Sequence, residues 1–126
     1  MTDIVAKKGI LVIAHGSRAK ETEATLDGVL AMVREMLPGA IVEAAFMEFS
    51  DRTVERGVAA LAAKSVTEIK IVPYFLFMGI HMKEDIPNLV AACAEKYPSV
   101  RIAMGEPIGA DRRLAQIVAD RIEDWA

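Results

Sequence analysis

The chain has 126 residues, of which 53% are hydrophobic and 26% are charged, so it is predicted to form one packed domain over residues 1–126. Its formal charge of −3 argues against a general nucleic-acid-binding protein, which would carry a basic excess. No apolar run reaches the roughly 18 residues of a membrane-spanning helix, and the first residues do not resemble a signal peptide. A single cysteine fits a reducing compartment, so a cytoplasmic location is predicted.

Four apolar runs alternate with four amphipathic stretches along the chain. The first run, residues 9–14, is continuously apolar, which is typical of a parallel strand buried on both faces. Proline follows the first and third amphipathic stretches, at Pro38 and Pro98, where it would end a helix. The predicted elements are a strand at 9–14, a helix at 20–37, a strand at 41–47, a helix capped by Ser50 or Asp51, a strand at 68–74, a helix at 83–97, a strand at 100–104 and a helix at 111–125.

Each predicted helix carries one apolar stripe, which is expected to be buried against a sheet. The stripes are Leu26, Val29, Leu30, Val33 and Leu37 in the first helix, Val54, Val58 and Leu61 in the second, Ile86, Leu89, Val90, Cys93 and Tyr97 in the third, and Leu114, Ile117, Val118, Ile122 and Trp125 in the fourth. A strand and a helix repeated four times predict an α/β fold, a doubly wound, four-stranded parallel sheet. Right-handed crossovers favour the strand order 2-1-3-4.

The only two histidines of the chain follow strands that this order makes neighbours. His15 comes directly after the first strand, His81 follows the loop after the third, and Glu48 follows the second. Because ligands bind at the carboxyl ends of parallel strands, where the strand order reverses, these three side chains are expected to converge. Two imidazoles and a carboxylate suit a divalent ion such as Co²⁺, Ni²⁺, Fe²⁺ or Zn²⁺ and leave positions open for exchange.

An apolar segment follows the third strand, which Pro73 should end because proline has no amide hydrogen to donate. Residues 75–80 are then either the end of the core or a wall for a flat, apolar ligand, and their place at the ligand-binding edge favours the wall. Cys93 lies on the apolar stripe of the third helix, so it is interpreted as core packing and not as a metal ligand.

Five segments together resemble the small class II chelatases, the CbiX-type sirohydrochlorin cobaltochelatases and the similar sirohydrochlorin nickelochelatases. The segments are residues 13–18 (IAHGSR), 47–50 (MEFS), 73–81 (PYFLFMGIH), 85–87 (DIP) and 106–111 (EPIGAD). The resemblance implies a chelatase-like half-domain that inserts a divalent metal, cobalt first and nickel next, into a sirohydrochlorin-type tetrapyrrole in cobalamin or related tetrapyrrole biosynthesis. It implies no permanently bound cofactor, because the metal is a substrate, and a homodimer, because the short members pair.

By the same resemblance, His15 and His81 match the metal ligands of the family. The positions that match or adjoin the tetrapyrrole site are Ser17, Arg18, Glu48, Leu76, Phe77, Met78, Gly79, Ile80 and His81. Sirohydrochlorin has eight carboxylates, and three cations beside the predicted site either bind them or are simply exposed charges: Arg18, Arg52 and Lys83.

The predicted mechanism needs no covalent intermediate. His15 and His81 would hold the ion above the ring, Glu48 would attract the cation, and a histidine or Glu48 would accept the pyrrole protons. One alternative is a metal or tetrapyrrole carrier that uses the same ligands without turnover. Another is a phosphotransfer enzyme with His15 as nucleophile, although that class would have an arginine directly before the histidine, where this chain has Ala14.

Overall fold

The computed structural model describes residues 7–125, which form four strands and four helices in strict alternation. Their bounds are β1 Lys8–Ala14, α1 Glu21–Met36, β2 Ile41–Phe46, α2 Val54–Ala63, β3 Glu68–Pro73, α3 Ile80–Lys96, β4 Arg101–Met104 and α4 Arg112–Glu123. All strand pairs are parallel and the order is β2-β1-β3-β4, so the predicted α/β class, sheet and strand order are confirmed. Between residues 7 and 125, no helix combines the length and apolar character needed to cross a membrane.

The two faces of the sheet are covered by different helices. Along β1, Leu11 and Ile13 pack with side chains of α2 and α3, whereas Val12 and Ala14 pack with α1. This alternation follows from the pleat of a strand, in which successive side chains point to opposite faces. We call the first face the α2–α3 face and the second the α1 face. The predicted burial of Cys93 in the core is confirmed, since it belongs to the cluster on the α2–α3 face.

Helix α2 lies close to β1 because a glycine faces the strand. A Cβ atom built on Gly57 would lie 2.5 Å from Cδ1 of Leu11. The helix begins later than predicted: its N-cap is Thr53, whose hydroxyl accepts a hydrogen bond from the Arg56 amide. The predicted cap at Ser50 or Asp51 is wrong because the chain first folds back on β2, where the Phe46 amide donates to the carbonyl of Arg52.

Helix α3 begins earlier than predicted, at Ile80 instead of Lys83. Gly79 is its N-cap, and the Lys83 amide donates to the Gly79 carbonyl in the first turn. His81 therefore lies in the first turn of a helix and not in the loop. Strand β3 ends at Pro73, as the missing amide hydrogen predicts.

Helix α4 forms where it is predicted, but its expected burial is wrong. No residue of α4 is buried, Leu114 is half-buried, and four apolar side chains on its stripe are 49–86% exposed: Ile117, Val118, Ile122 and Trp125. The segment before the helix lies beside the loop after β3, where the Gly109 amide donates to the Phe75 carbonyl at 3.3 Å, and α4 follows from there without packing on the core. The apolar period predicts the helix correctly, but it does not say which surface covers the stripe.

Candidate functional site

The carboxyl ends of three strands are joined by backbone hydrogen bonds that continue past the strands. The Tyr74 amide donates to the Ile13 carbonyl at 2.7 Å, and the Met47 amide donates to the Ala14 carbonyl at 3.0 Å. One residue further, the Glu48 amide donates to the His15 carbonyl at 2.9 Å. The backbone therefore fixes His15 and Glu48 beside each other at the edge where the strand order reverses.

A glycine after His15 makes this close approach possible. Gly16 has a φ of +95°, and a Cβ atom at this position would lie 2.0 Å from the Glu48 carbonyl oxygen. Any other residue would be strained by the positive φ and would also collide with the backbone of the neighbouring loop. Gly16 thus lets the turns after β1 and β2 pack directly against each other.

His15 and Glu48 form a pair that is open to solvent. The Nε2 atom of His15 lies 3.9 Å from Oε2 of Glu48, and the two side chains are 54% and 53% exposed. The other ring nitrogen, Nδ1, lies 3.2 Å from the Gly16 carbonyl oxygen. If Nδ1 carries the hydrogen, it donates to that carbonyl and leaves the Nε2 lone pair free on the side of the ring that is 3.9 Å from Glu48. An imidazole nitrogen and a carboxylate arranged in this way can bind a divalent cation.

Two further predicted residues lie in the turn after β1. The Ser17 hydroxyl accepts a hydrogen bond from the Ala19 amide at 3.0 Å. The guanidinium of Arg18 lies over the ring of Phe49, 4.9 Å from its centroid, so it connects the turns after β1 and β2. Phe49 is 53% exposed and has a φ of 59°. Phe49 was not singled out from the sequence, although an aromatic residue directly after the predicted ligand Glu48 was a usable signal.

Arg52, in contrast, is engaged in structure. Its guanidinium donates to both carboxylate oxygens of Asp27 at 2.9 Å and to Glu23 at 3.4 Å, and it lies over the Phe46 ring. The hydrogen bond from Arg52 lowers the pKa of the Asp27 carboxyl, and the same bond raises the pKa of Arg52. Of the two readings that the sequence left open for Arg52, the structure favours the one without a ligand.

The apolar loop after β3 is half packed and half exposed. Phe75 and Met78 pack against the core of the α2–α3 face, whereas Leu76, Phe77 and Ile80 are 47%, 85% and 79% exposed. Phe77 is thus among the most exposed apolar side chains of the described residues. The loop offers an apolar surface at the same edge as the His15–Glu48 pair, because Tyr74, at its start, is bonded to Ile13 of β1.

His81 is exposed in the first turn of α3, at the end of the apolar loop. Within residues 7–125, no three His, Cys, Asp or Glu side chains lie close enough together to hold a metal ion. The structure thus brings His15 and Glu48 together without His81, and the role of His81 as a second metal ligand stays a prediction. The exposed cation Lys83 lies two residues further along the same helix.

A cavity of about 390 Å³ lies between the start of α1 and the ends of β1 and β2. It is lined by Ala14, Glu21, Thr22, Thr25, Leu26, Phe46 and Tyr74. Tyr74 and Phe46 make one side of it aromatic. Neither residue was singled out from the sequence, because both belong to strand ends and their exposure depends on how the helices cover the sheet.

Fold and site together define an α/β protein with a doubly wound parallel sheet and an open histidine–carboxylate pair at its carboxyl edge. The chain belongs to the CbiX family, whose model matches residues 9–125, so the predicted resemblance is confirmed. It is 35% identical over 118 residues to the sirohydrochlorin ferrochelatase of Bacillus subtilis, a match that covers 94% of this chain and 45% of that one. It is 33% identical over 116 residues to the sirohydrochlorin cobaltochelatase of Sulfurisphaera tokodaii, and the match covers 92% of each chain.

A solved structure gives the same likeness. The sirohydrochlorin chelatase SirB from Bacillus subtilis subspecies spizizenii, in complex with cobalt, is 35% identical with a TM-score of 0.86. The match covers 95% of this chain and 51% of that one. The chain thus spans about half the length of several relatives that it matches, and nearly the whole length of others.

Proposed function

We propose that this protein is a sirohydrochlorin chelatase, which inserts a divalent metal ion into a sirohydrochlorin-type tetrapyrrole. The observation that carries the proposal is the His15–Glu48 pair, in which an imidazole nitrogen and a carboxylate oxygen lie 3.9 Å apart and half exposed at the ligand-binding edge of the sheet. Relatives that match more than nine tenths of the chain are named sirohydrochlorin chelatases, which supports this substrate.

In the proposed reaction, His15 binds the incoming ion through Nε2 while Nδ1–H donates to the Gly16 carbonyl oxygen. That hydrogen bond orients the ring and fixes the tautomer that leaves Nε2 free for the metal. The negative charge of Glu48 attracts the cation and offsets part of its positive charge. His81 is proposed as the second imidazole ligand, supplied from the first turn of α3.

Insertion replaces two pyrrole protons by one divalent ion, so two protons have to leave the ring. The Glu48 carboxylate is the proposed acceptor of one of them, and Nε2 of His15, which is free once it has released the ion to the ring nitrogens, is the proposed acceptor of the other. Its 53% exposure gives the proton a direct route to water. No redox step and no resident cofactor take part, since the ion itself is a substrate.

The exposed part of the loop, Leu76, Phe77 and Ile80, is proposed to contact the apolar face of the macrocycle. Ser17, Arg18 and Lys83 are proposed to bind the carboxylates at its rim, with Arg18 held by Phe49. Met78 and Gly79 are proposed to position this surface, since Met78 packs on the core and Gly79 is the N-cap of α3.

Cobalt is proposed as the physiological ion and nickel as the next best. The support for cobalt is that the relative matching 92% of each chain is named a cobaltochelatase, whereas the Bacillus subtilis ferrochelatase is about twice as long as the matched region. The reaction would belong to cobalamin or related tetrapyrrole biosynthesis in the cytoplasm. Initial rates with Co²⁺, Ni²⁺ and Fe²⁺ on anaerobic sirohydrochlorin rank the ions, and a higher kcat/KM for Fe²⁺ would contradict the assignment to cobalt.

A homodimer is proposed because the site is an open edge and not an enclosed pocket. The match covers 45% and 43% of two longer relatives, so a second copy would bring the assembly to about their length. Two copies placed with their carboxyl edges facing each other would enclose a large ring from both sides.

The decisive experiment follows the absorption change of sirohydrochlorin with excess Co²⁺ over many equivalents. We expect multiple turnovers for the wild type and none for His15→Ala or His81→Ala, with a large loss of rate for Glu48→Gln. Glu35→Gln is the matched control, because Glu35 is an exposed carboxylate near the far end of α1. A reaction that stops at one equivalent would identify a carrier, and wild-type rates in both histidine variants would remove the assigned metal ligands.

A further inference from the structure

Phe49 adopts a backbone conformation that a phenylalanine rarely takes. Two non-glycine residues between positions 7 and 125 have a positive φ, Phe49 at 59° and Ser65 at 61°. Ser65 directly follows the C-cap of α2, where a left-handed residue commonly ends a helix. Phe49 lies in the loop after β2 and ends no helix, and a bulky side chain at a positive φ is strained. A favourable contact elsewhere has to offset that strain.

The contact that Phe49 makes is with a cation and not with the core. Its ring is 53% exposed, and neither core cluster of residues 7–125 includes it. The guanidinium of Arg18 lies 4.9 Å from the ring centroid. Because Arg18 belongs to the turn after β1 and Phe49 to the turn after β2, the contact joins the two turns that carry His15 and Glu48. The ring of Phe49 therefore serves the guanidinium.

Arg52 shows what an arginine in this arrangement binds. Its guanidinium lies 5.5 Å from the centroid of the Phe46 ring and donates to both carboxylate oxygens of Asp27 at 2.9 Å. The aromatic ring covers one face of the planar guanidinium and leaves the N–H groups at its edge free to bind a carboxylate through two hydrogen bonds. For Arg52, the chain itself supplies that carboxylate.

Arg18 has the same arrangement without a carboxylate. The arginine ion pairs within residues 7–125 belong to other arginines, at positions 52, 101 and 113. Arg18 is exposed and follows His15 by three residues. A carboxylate of a ligand at this edge can therefore take the position on Arg18 that Asp27 takes on Arg52.

We propose that Phe49 is a positioning residue, whose ring holds the Arg18 guanidinium ready to bind one carboxylate of the tetrapyrrole through two hydrogen bonds. This inference rests on the proposed function and adds to it a residue that fixes the edge of the macrocycle next to Glu48. Without the aromatic ring, the substrate itself would have to order the long arginine side chain, which costs conformational entropy on binding. Phe49 should therefore determine the affinity for the substrate and not the rate of insertion.

Two substitutions at position 49 separate the aromatic ring from the backbone. Phe49→Gly removes the ring and relieves the strain, because glycine adopts a positive φ readily, whereas Phe49→Ala removes the ring and keeps the strain. Both variants should bind metal-free sirohydrochlorin about tenfold more weakly than the wild type in an anaerobic fluorescence titration. The urea midpoint should be higher for the glycine variant than for the alanine variant. Weaker binding in the alanine variant alone would assign the effect to the backbone and overturn the proposal.

Rescue and kinetics distinguish positioning from a general loss of structure. Phe49→Trp keeps an aromatic face and should restore the affinity to within about threefold of the wild type. In turnover with Co²⁺, Phe49→Gly should raise the KM for sirohydrochlorin about tenfold and lower kcat by less than about twofold. A fall in kcat at an unchanged KM would contradict the assignment.

A double-mutant cycle tests whether the aromatic ring acts through Arg18. Arg18→Met should weaken binding about tenfold or more, and the double variant with Phe49→Gly should bind no more weakly than Arg18→Met alone. Arg112→Met is the matched control and should bind as the wild type does, because Arg112 is an exposed arginine of α4 outside the proposed site. Losses that multiply in the double variant would show that Phe49 contacts the macrocycle directly, and would overturn the positioning role.

The outcomes also separate this inference from the proposed function. If the wild type binds and turns over sirohydrochlorin and Phe49→Gly binds it equally well, the role of Phe49 is wrong while the chelatase activity stands. If Phe49→Gly weakens binding as expected but the wild type turns over no ion, the carboxylate site stands and the proposed function fails. A wild type that does not bind sirohydrochlorin overturns both.

Discussion

Replacement of Gly16 by alanine tests whether the packing of two turns builds the candidate site. The new Cβ atom would lie 2.0 Å from the Glu48 carbonyl oxygen, so the loop after β2 has to retreat by about 1.4 Å to reach ordinary contact at 3.4 Å. Strain from a positive φ costs about 1–3 kcal/mol, and loss of the bond from the Glu48 amide to the His15 carbonyl costs about 1 kcal/mol. We therefore expect a loss of roughly 2–4 kcal/mol in the free energy of unfolding.

Urea denaturation followed by circular dichroism measures this loss. With a slope of about 2 kcal/mol per molar urea, the midpoint should fall by about 1–2 M. The rate of the proposed metal insertion, assayed with Co²⁺, should fall by about 10²-fold, because a shift of about 1 Å misplaces Glu48 relative to His15.

Gly28→Ala is the control for this substitution. Gly28 lies inside α1 with nothing within 4 Å of the new Cβ, so this variant should gain about 0.5–1 kcal/mol. If Gly16→Ala unfolds at the wild-type midpoint and turns over at the wild-type rate, the two turns do not depend on each other as the geometry indicates.

Two further predictions concern the ring surface and an ion pair. Phe77→Ser should leave the free energy of unfolding unchanged within about 0.5 kcal/mol and raise the KM for sirohydrochlorin about tenfold or more, whereas Met36→Ser, on a side chain 74% exposed at the end of α1, should change neither. Asp27→Asn should cost less than about 1 kcal/mol at pH 7, because the pair with Arg52 is partly exposed. The pair with Arg52 lowers the pKa of Asp27 in the folded state. The stabilisation that the pair provides is therefore present above the pKa of Asp27 in the unfolded chain and is lost as the pH falls below about 4. If the urea midpoints of the wild type and Asp27→Asn differ by the same amount at pH 7 and at pH 3, this prediction is wrong.

The sequence was sufficient to predict the sheet because each strand is marked by local features. The continuous run from Gly9 to Ala14 and the proline that ends β3 are properties of the chain itself, and the handedness of crossovers then restricts the order of the strands. The convergence of His15 and Glu48 followed from the same topology. The predicted cap of α2 was wrong because Ser50 and Asp51 are good capping residues whose use depends on how the loop returns to β2, which is a tertiary contact.

What the sequence did not predict was the covering of surfaces. Helix α4 has a clear amphipathic period, yet burial of its stripe depends on a surface outside the helix. Arg52 resembled a ligand-binding cation until its partners on α1 were known, and these lie 25 and 29 residues earlier in the chain. Contacts between distant segments decide both cases, and no local pattern encodes them.

The bonds that continue the sheet past β1 have a consequence for how the family can diversify. The carbonyls of Ile13, Ala14 and His15 accept from the chain segments that follow β3 and β2, so main-chain hydrogen bonds hold the position of this rim. Side chains at positions 15 and 48 can therefore be exchanged without disturbing the scaffold that carries them. Preference for one ion over another can then evolve by substitution of the side chains that supply the donor atoms, while the backbone that carries them stays the same.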